Sequence, residues 1–173
     1  QMRRIWLGAP LTPDPAARPS VEQARAVVTE ICAGEIGVYG VNTGFGKLAQ
    51  TRIPSDKLAA LQHNLVMSHA AGVGAPLPAP VVRLTLALKI NALAQGHSGV
   101  RWALIEALAA LLGHDVLPEI PGQGSVGASG DLAPLAHMSA LLLGEGAAYH
   151  AGERVGAAEG LAAAGLAPMA LEA

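Results

Sequence analysis

Gly124-Ser125-Val126-Gly127-Ala128-Ser129-Gly130-Asp131 runs directly into the apolar stretch Leu132-Ala133-Pro134-Leu135-Ala136. A glycine-rich loop that ends in Asp just before such a stretch is a helix entry, with Asp131 capping free backbone donors. Pro134 agrees, because a proline in the first turn gives up an amide that has no helical acceptor. This helix is expected to begin at Asp131 and to reach about Leu143. Gly122, Gly124 and Gly127 also stand at G-x-G-x-x-G spacing. A dinucleotide loop needs a buried parallel strand immediately upstream, however, and Pro118 and Pro121 cannot donate to a central ladder. A hydrolase nucleophile elbow fails by count, since Ser129 has Asp131 two residues after it and Ser125 has Gln123 two before it.

The same punctuation by Gly and Pro divides the rest of the chain. A helix is expected over 20–32, capped by Ser20 and closed by Gly34. Another starts at Ser55, carries Leu58, Leu61, Leu65 and Met67 or Ser68 at spacings of three and four, and ends before Gly72 and Gly74. A third covers 79–95 with Leu84, Leu88 and Leu93 inward, and a fourth covers 100–112, stopped by Gly113. Residues 146–155 read as a hairpin turning at Ala151-Gly152, and 157–164 as a last short helix. The expected fold class is mainly α, a helical bundle-like region with Gly-rich loops and one short β-hairpin. All 173 residues are expected to form one domain.

Inside the first stretch, Ala128-Ser129-Gly130 can also do chemistry. Gly130 lacks a Cβ, so the chain can bend until its amide nitrogen meets the Ala128 carbonyl carbon and closes a five-membered ring. Loss of water from that ring and from the Ser129 hydroxyl leaves a methylidene-imidazolone, an electron-poor exocyclic alkene. From these residues alone the capping loop and the electrophile both stand. A second Gly-rich loop, Tyr39-Gly40-Val41-Asn42-Thr43-Gly44-Phe45-Gly46-Lys47, is not a phosphate loop: it has one residue too many before Gly46-Lys47, and Leu48 replaces the metal-binding hydroxyl. Its glycines let the backbone approach a neighbour closely while holding Tyr39. A phenol serves as a base only when nearby donors or positive charge favour its anion; otherwise Tyr39 is a packed aromatic.

Taken together, Tyr39 to Gly46, Gly124 to His137, and Leu61-Gln62-His63-Asn64-Leu65-Val66-Met67-Ser68-His69-Ala70-Ala71-Gly72-Val73-Gly74 resemble the aromatic amino acid ammonia-lyases, and within them the histidine-specific members. The resemblance implies a lyase that converts L-histidine to trans-urocanate and ammonia, with a methylidene-imidazolone made from Ala128, Ser129 and Gly130 and with Tyr39 removing the β-proton. It places Ser68 and His69 at the substrate ring, where an imidazole can exchange a hydrogen bond with another imidazole. Asn42, Gly44 and Asp131 take supporting roles, Asp131 polarising backbone groups during cyclisation. A homo-oligomer is implied as well, a tetramer in the family. The resemblance covers only the family's N-terminal part. The C-terminal helical region, with the carboxylate-binding Arg and a second catalytic Tyr, is absent from this chain, which by itself is expected to be inactive. Related tyrosine or phenylalanine lyases, aminomutases that share the ring, and a non-catalytic helical assembly piece with an uncyclised loop are the alternatives.

Composition bounds these readings. Hydrophobic residues make up 51% and charged residues 14% of the chain, a balance that favours burial against further structure. Aromatics are 3%, so the core has to be built from Ala, Leu and Val. Arg83 and Lys89 interrupt the apolar run 81–93, and Gly144-Glu145-Gly146 ends the next, so no membrane partner is expected. Pro10 and Pro13 arrive too early for a signal peptide, which makes cytoplasmic residence the expectation. A net charge of −2 without a basic patch argues against nucleic acid. Cys32 has no disulfide partner within the chain. His63, His97, His114, His137 and His150 lack ligand spacing, so no metal or nucleotide cofactor is expected; His137 is placed beneath the 128–130 loop.

Overall fold

The computed structural model describes residues 1–125 and 132–171. Ala128, Ser129, Gly130 and Asp131 therefore lie outside the described residues, and so does the expected Asp131 cap. The architecture is mainly helical, with short strands in two separate sheets among the described residues. In chain order the helices are α1 (Met2–Trp6), α2 (Arg18–Ala33), α3 (Leu58–His69), α4 (Ala79–Leu93), α5 (Trp102–Gly113), α6 (Leu132–Leu142) and α7 (Ala157–Ala163). The strands are β1 (Val73–Pro76), β2 (Val116–Pro118), β3 (Pro121–Gln123), β4 (Ala147–His150) and β5 (Glu153–Gly156).

Proline sets several of the starts. Pro19 and Pro80 sit in the first turns of α2 and α4, where the missing amide costs nothing. The expected Ser20 cap is corrected: α2 starts two residues earlier, after a 3-10 turn at Pro15–Ala17, and the Ser20 hydroxyl donates back to the Ala17 carbonyl at 2.9 Å. Capping falls instead to Asp14, whose carboxylate accepts from the Ala16 amide at 2.9 Å. Gly34 closes α2 as expected, in extended geometry.

The core is aliphatic. Leu86 and Ile90 of α4, Ile105, Leu108, Leu111 and Leu112 of α5, Val116 of β2 and Leu141 of α6 are almost fully buried against one another. Leu88 departs from the expected inward face of α4 and is 57% exposed, because the buried stripe runs through Val82, Leu86, Ile90 and Leu93 instead. In the same stripe Arg83 is buried and acts as a polar clamp. Its guanidinium donates to the carbonyls of Ile5 at 3.1 Å, Gly8 at 2.7 Å and Leu112 at 3.3 Å, and pairs with Asp115. A buried cation is tolerable only when its donors are all engaged in this way, and the clamp ties the N-terminal segment to α4 and α5.

The expected hairpin is present as β4 and β5, turning through Ala151 (φ 51°) and Gly152 (φ 84°). Positive φ at both central residues matches the twist of the paired strands. β2 adds to the other side of β4, giving the antiparallel order β2-β4-β5, with Pro118 at the end of an edge strand. β1 and β3 form a separate antiparallel pair, with Val73, four residues after α3, opposite Gln123.

Candidate functional site

Asn42 builds the loop that carries Tyr39. It is 1% exposed, and its side-chain oxygen accepts from the Val38 amide at 2.7 Å while its nitrogen donates to the carbonyls of Ile31 at 3.1 Å and Ile36 at 3.0 Å. The end of α2 is thereby bound to the loop that follows it. Thr43 forms a bridge with Arg52, and the Gly44 amide donates to the Thr51 carbonyl at 3.0 Å, closing the loop's second half. Gly44 is required by packing: a Cβ there would lie 2.6 Å from Leu48 Cβ. Tyr39 projects from this frame, 64% exposed, with its ring edge-on to Phe45 at 5.8 Å between centroids.

α3 supplies the facing wall. The His69 Nδ1 lies 2.8 Å from the Leu65 carbonyl oxygen, an acceptor only, so Nδ1 carries the proton in the neutral ring and Nε2 is left as an acceptor for a ligand. Ser68 is exposed, and its hydroxyl donates to the same Leu65 carbonyl at 3.1 Å and lies 3.2 Å from the His69 Nδ1. Tyr39, Phe45 and His69 line an open cavity of about 490 Å³ with Lys89 of α4 and Leu132 and Met138 of α6. Ser68 does not line it. Lys89, the cation of this lining, went unnoticed in the sequence because it read only as an interruption of an apolar run.

The motif at 61–74 meets the motif at 124–137 through glycines. The Gly72 amide donates to Nε2 of His137 on α6 at 3.0 Å. A Cβ on Gly72 would lie 3.1 Å from that nitrogen and 3.3 Å from the Gln123 carbonyl oxygen. A Cβ on Gly124 would lie 3.1 Å from the Gly72 Cα and 3.0 Å from the Ala133 Cβ. Gly124 and His137, on either side of 126–131 in the sequence, are thus both in contact with Gly72 in the connection that follows α3. Burial holds His137 below its ordinary value near 6.5, opposed by the Glu119 carboxylate. Glu119 is itself held below its ordinary value, first by hydrogen bonds from Arg154 at 2.5 and 2.9 Å.

Among the described residues no cluster of metal-ligating side chains occurs, and no helix is long and apolar enough to cross a membrane. A helical frame that brings Tyr39 of one loop, His69 at the end of α3 and Leu132 at the start of α6 to one cavity is the arrangement expected of the amino acid lyase scaffold that its motifs resemble. Comparison with known proteins makes this specific. The family model for aromatic amino acid lyases matches residues 1–173, and the chain belongs to that family. Histidine ammonia-lyase of Burkholderia pseudomallei (strain 668) is 56% identical over the whole chain, which spans 34% of that protein. Histidine ammonia-lyase of Aromatoleum aromaticum is 61% identical over 92% of the chain and 30% of its own length. The chain therefore spans about a third of the curated relatives it matches. Among solved structures, histidine ammonia-lyase from Trypanosoma cruzi superposes with a TM-score of 0.89 at 35% identity, covering 99% of this chain and 34% of that one. The phenylalanine aminomutase of Pantoea agglomerans gives 0.92 at 30% identity, covering 99% and 33%.

Proposed function

We propose that this chain is the N-terminal region of an enzyme that eliminates ammonia from L-histidine to give trans-urocanate. The observation that carries the proposal is the shared cavity: Tyr39 and His69 line it together with Leu132, which follows the Ala128-Ser129-Gly130-Asp131 sequence directly. Close packing of residues on either side of that tripeptide in the sequence supports the reading, since a Cβ on Gly124 would lie 3.0 Å from the Ala133 Cβ and 3.1 Å from the Gly72 Cα. Once formed, the methylidene-imidazolone supplies an electron-poor alkene that activates the substrate. Tyr39 accepts the β-proton, the C–H electron pair becomes the Cα–Cβ double bond of urocanate, and the amino nitrogen leaves as ammonia with the electron pair of the broken Cα–N bond. The His69 Nε2, left as an acceptor by the Nδ1 contact to Leu65, takes a hydrogen bond from the substrate imidazole N–H. Ser68 supports that ring through its contact with Nδ1.

Identities of 56–61% to curated histidine ammonia-lyases support this substrate; among solved structures a histidine ammonia-lyase at 35% stands level with tyrosine aminomutases at 35–36%. Retention of ammonia in a β-amino acid product would support the aminomutase reading. Exposed apolar side chains at Ile36, Leu48, Met67, Val73 and Leu132 support assembly with the remainder of the enzyme and with further subunits, a homotetramer in this proposal. The 173-residue chain alone is expected to yield no measurable urocanate. The test is Tyr39→Phe in the full-length enzyme, with an expected fall in kcat of roughly 10²–10⁴-fold for loss of a general base. Unchanged turnover removes Tyr39 from the mechanism.

A further inference from the structure

We infer that His137 is a positioning residue for ring formation, acting as a hydrogen-bond acceptor that locks Gly72, in the connection after α3, to the residues on both sides of 126–131. The inference rests on the ring proposed above but concerns a residue with no contact to substrate. Its basis is a chain of three contacts. His137 Nε2 receives the Gly72 amide at 3.0 Å, Gly72 packs on Gly124, and Gly124 packs on Ala133 one turn before His137 on the same helix. Gly124 and Ala133 are the points from which the chain leaves and to which it returns around the cyclising tripeptide. Fixing them to each other restricts the intervening backbone before any bond forms, which is how an enforced geometry accelerates an intramolecular attack.

The lock depends on protonation. An imidazolium has no acceptor lone pair, so the Gly72 amide loses its partner when His137 takes up a proton. Burial favours the neutral ring, and the charge that acts against it is Glu119, reached from the β2–β3 connection with Arg154 bound to it and Tyr149 also contacting the carboxylate. Of the other elements packed on α6, α3 carries His63 and His69, α7 carries Glu159, and β2 carries no titratable group. Acidification below the ordinary histidine range therefore opens the lock.

The test uses full-length enzyme carrying this region, purified before cyclisation is complete, with maturation followed as the loss of two waters by intact mass and as growth of the ring's ultraviolet absorbance. His137→Gln places a side-chain oxygen at the reach of Nε2 and keeps an acceptor that does not titrate in this range. His137→Phe fills the site without one. Wild type is expected to mature at least tenfold more slowly at pH 5 than at pH 7.5, at a temperature where it stays folded. His137→Gln should mature at similar rates at both, and His137→Phe slowly at both. Should His137→Phe fail to fold, the wild type and His137→Gln comparison decides alone. Equal acid slowing in wild type and His137→Gln, or wild-type maturation in His137→Phe, overturns the inference while leaving the ring intact. Wild-type protein that never loses the two waters overturns the ring reading and this inference with it.

Discussion

Replacing Asn42 with Ala should cost this protein about 3 kcal/mol, and the figure follows from what the side chain does. Its three hydrogen bonds, at 2.7, 3.1 and 3.0 Å, satisfy the Val38 amide and the Ile31 and Ile36 carbonyls at a residue 1% exposed. Alanine leaves one donor and two acceptors facing a buried void, and a net contribution of about 1 kcal/mol per bond gives the sum. At about 2–4 °C per kcal/mol for a domain of this size, Tm should fall by about 6–12 °C. Asn42→Asp should be no better at neutral pH: it keeps the acceptor for Val38 but turns a carboxylate toward two carbonyl oxygens. Thermal and urea denaturation followed by circular dichroism read the stability. Limited trypsin digestion at Lys47 and Arg52 reads the loop itself, which should open in both variants. A Tm shift within about 2 °C, or unchanged cleavage at Lys47, would refute the claim that Asn42 organises the loop presenting Tyr39.

Gly44→Ala puts a Cβ 2.6 Å from Leu48 Cβ and 3.0 Å from the Leu48 carbonyl oxygen, so the Gly46–Leu48 turn must move; a loss of about 1–3 kcal/mol is expected in urea denaturation. Arg83→Met strips the carbonyls of Ile5, Gly8 and Leu112 of their donor, and about 3 kcal/mol should be lost, with faster amide exchange in α1. Glu119 is held below its ordinary value by Arg154, so the pair's stabilisation is complete above pH 4.5 and lost as pH falls through the lowered folded value. Denaturation from pH 6 to 3 should therefore show a decline that Glu119→Gln flattens.

Much of the frame was legible because its causes are local. Gly and Pro mark the ends of α4 and α5, the Ala151-Gly152 pair gives the hairpin turn, and the spacing in Tyr39–Gly46 and Leu61–Gly74 carries the family motifs. What escaped was set by tertiary context. Ser20 looked like a cap, yet Asp14 and the turn at Pro15–Ala17 start the helix earlier. Leu88 fitted a helical spacing, but a neighbouring stripe with buried Arg83 faces the core, since four carbonyls and Asp115 lie where that guanidinium can reach them. At the site, pattern alone brought Tyr39 and His69 into consideration; that Ser68 turns back onto its own helix, and that Lys89 lines the cavity, depends on how α3, α4 and α6 pack. Gly72 and Gly124 read as loop punctuation, whereas their lack of side chains is what lets His137 and Ala133 close in.

The central claim is that Ala128-Ser129-Gly130 becomes a heterocycle in the assembled enzyme. Intact mass of active full-length protein, beside its Ser129→Ala variant, addresses it most directly. The wild-type subunit should weigh less than its sequence by two waters and deaminate histidine, and the variant should lack both the wild-type alkene absorbance and the turnover. An active wild-type subunit at its full sequence mass would contradict the account.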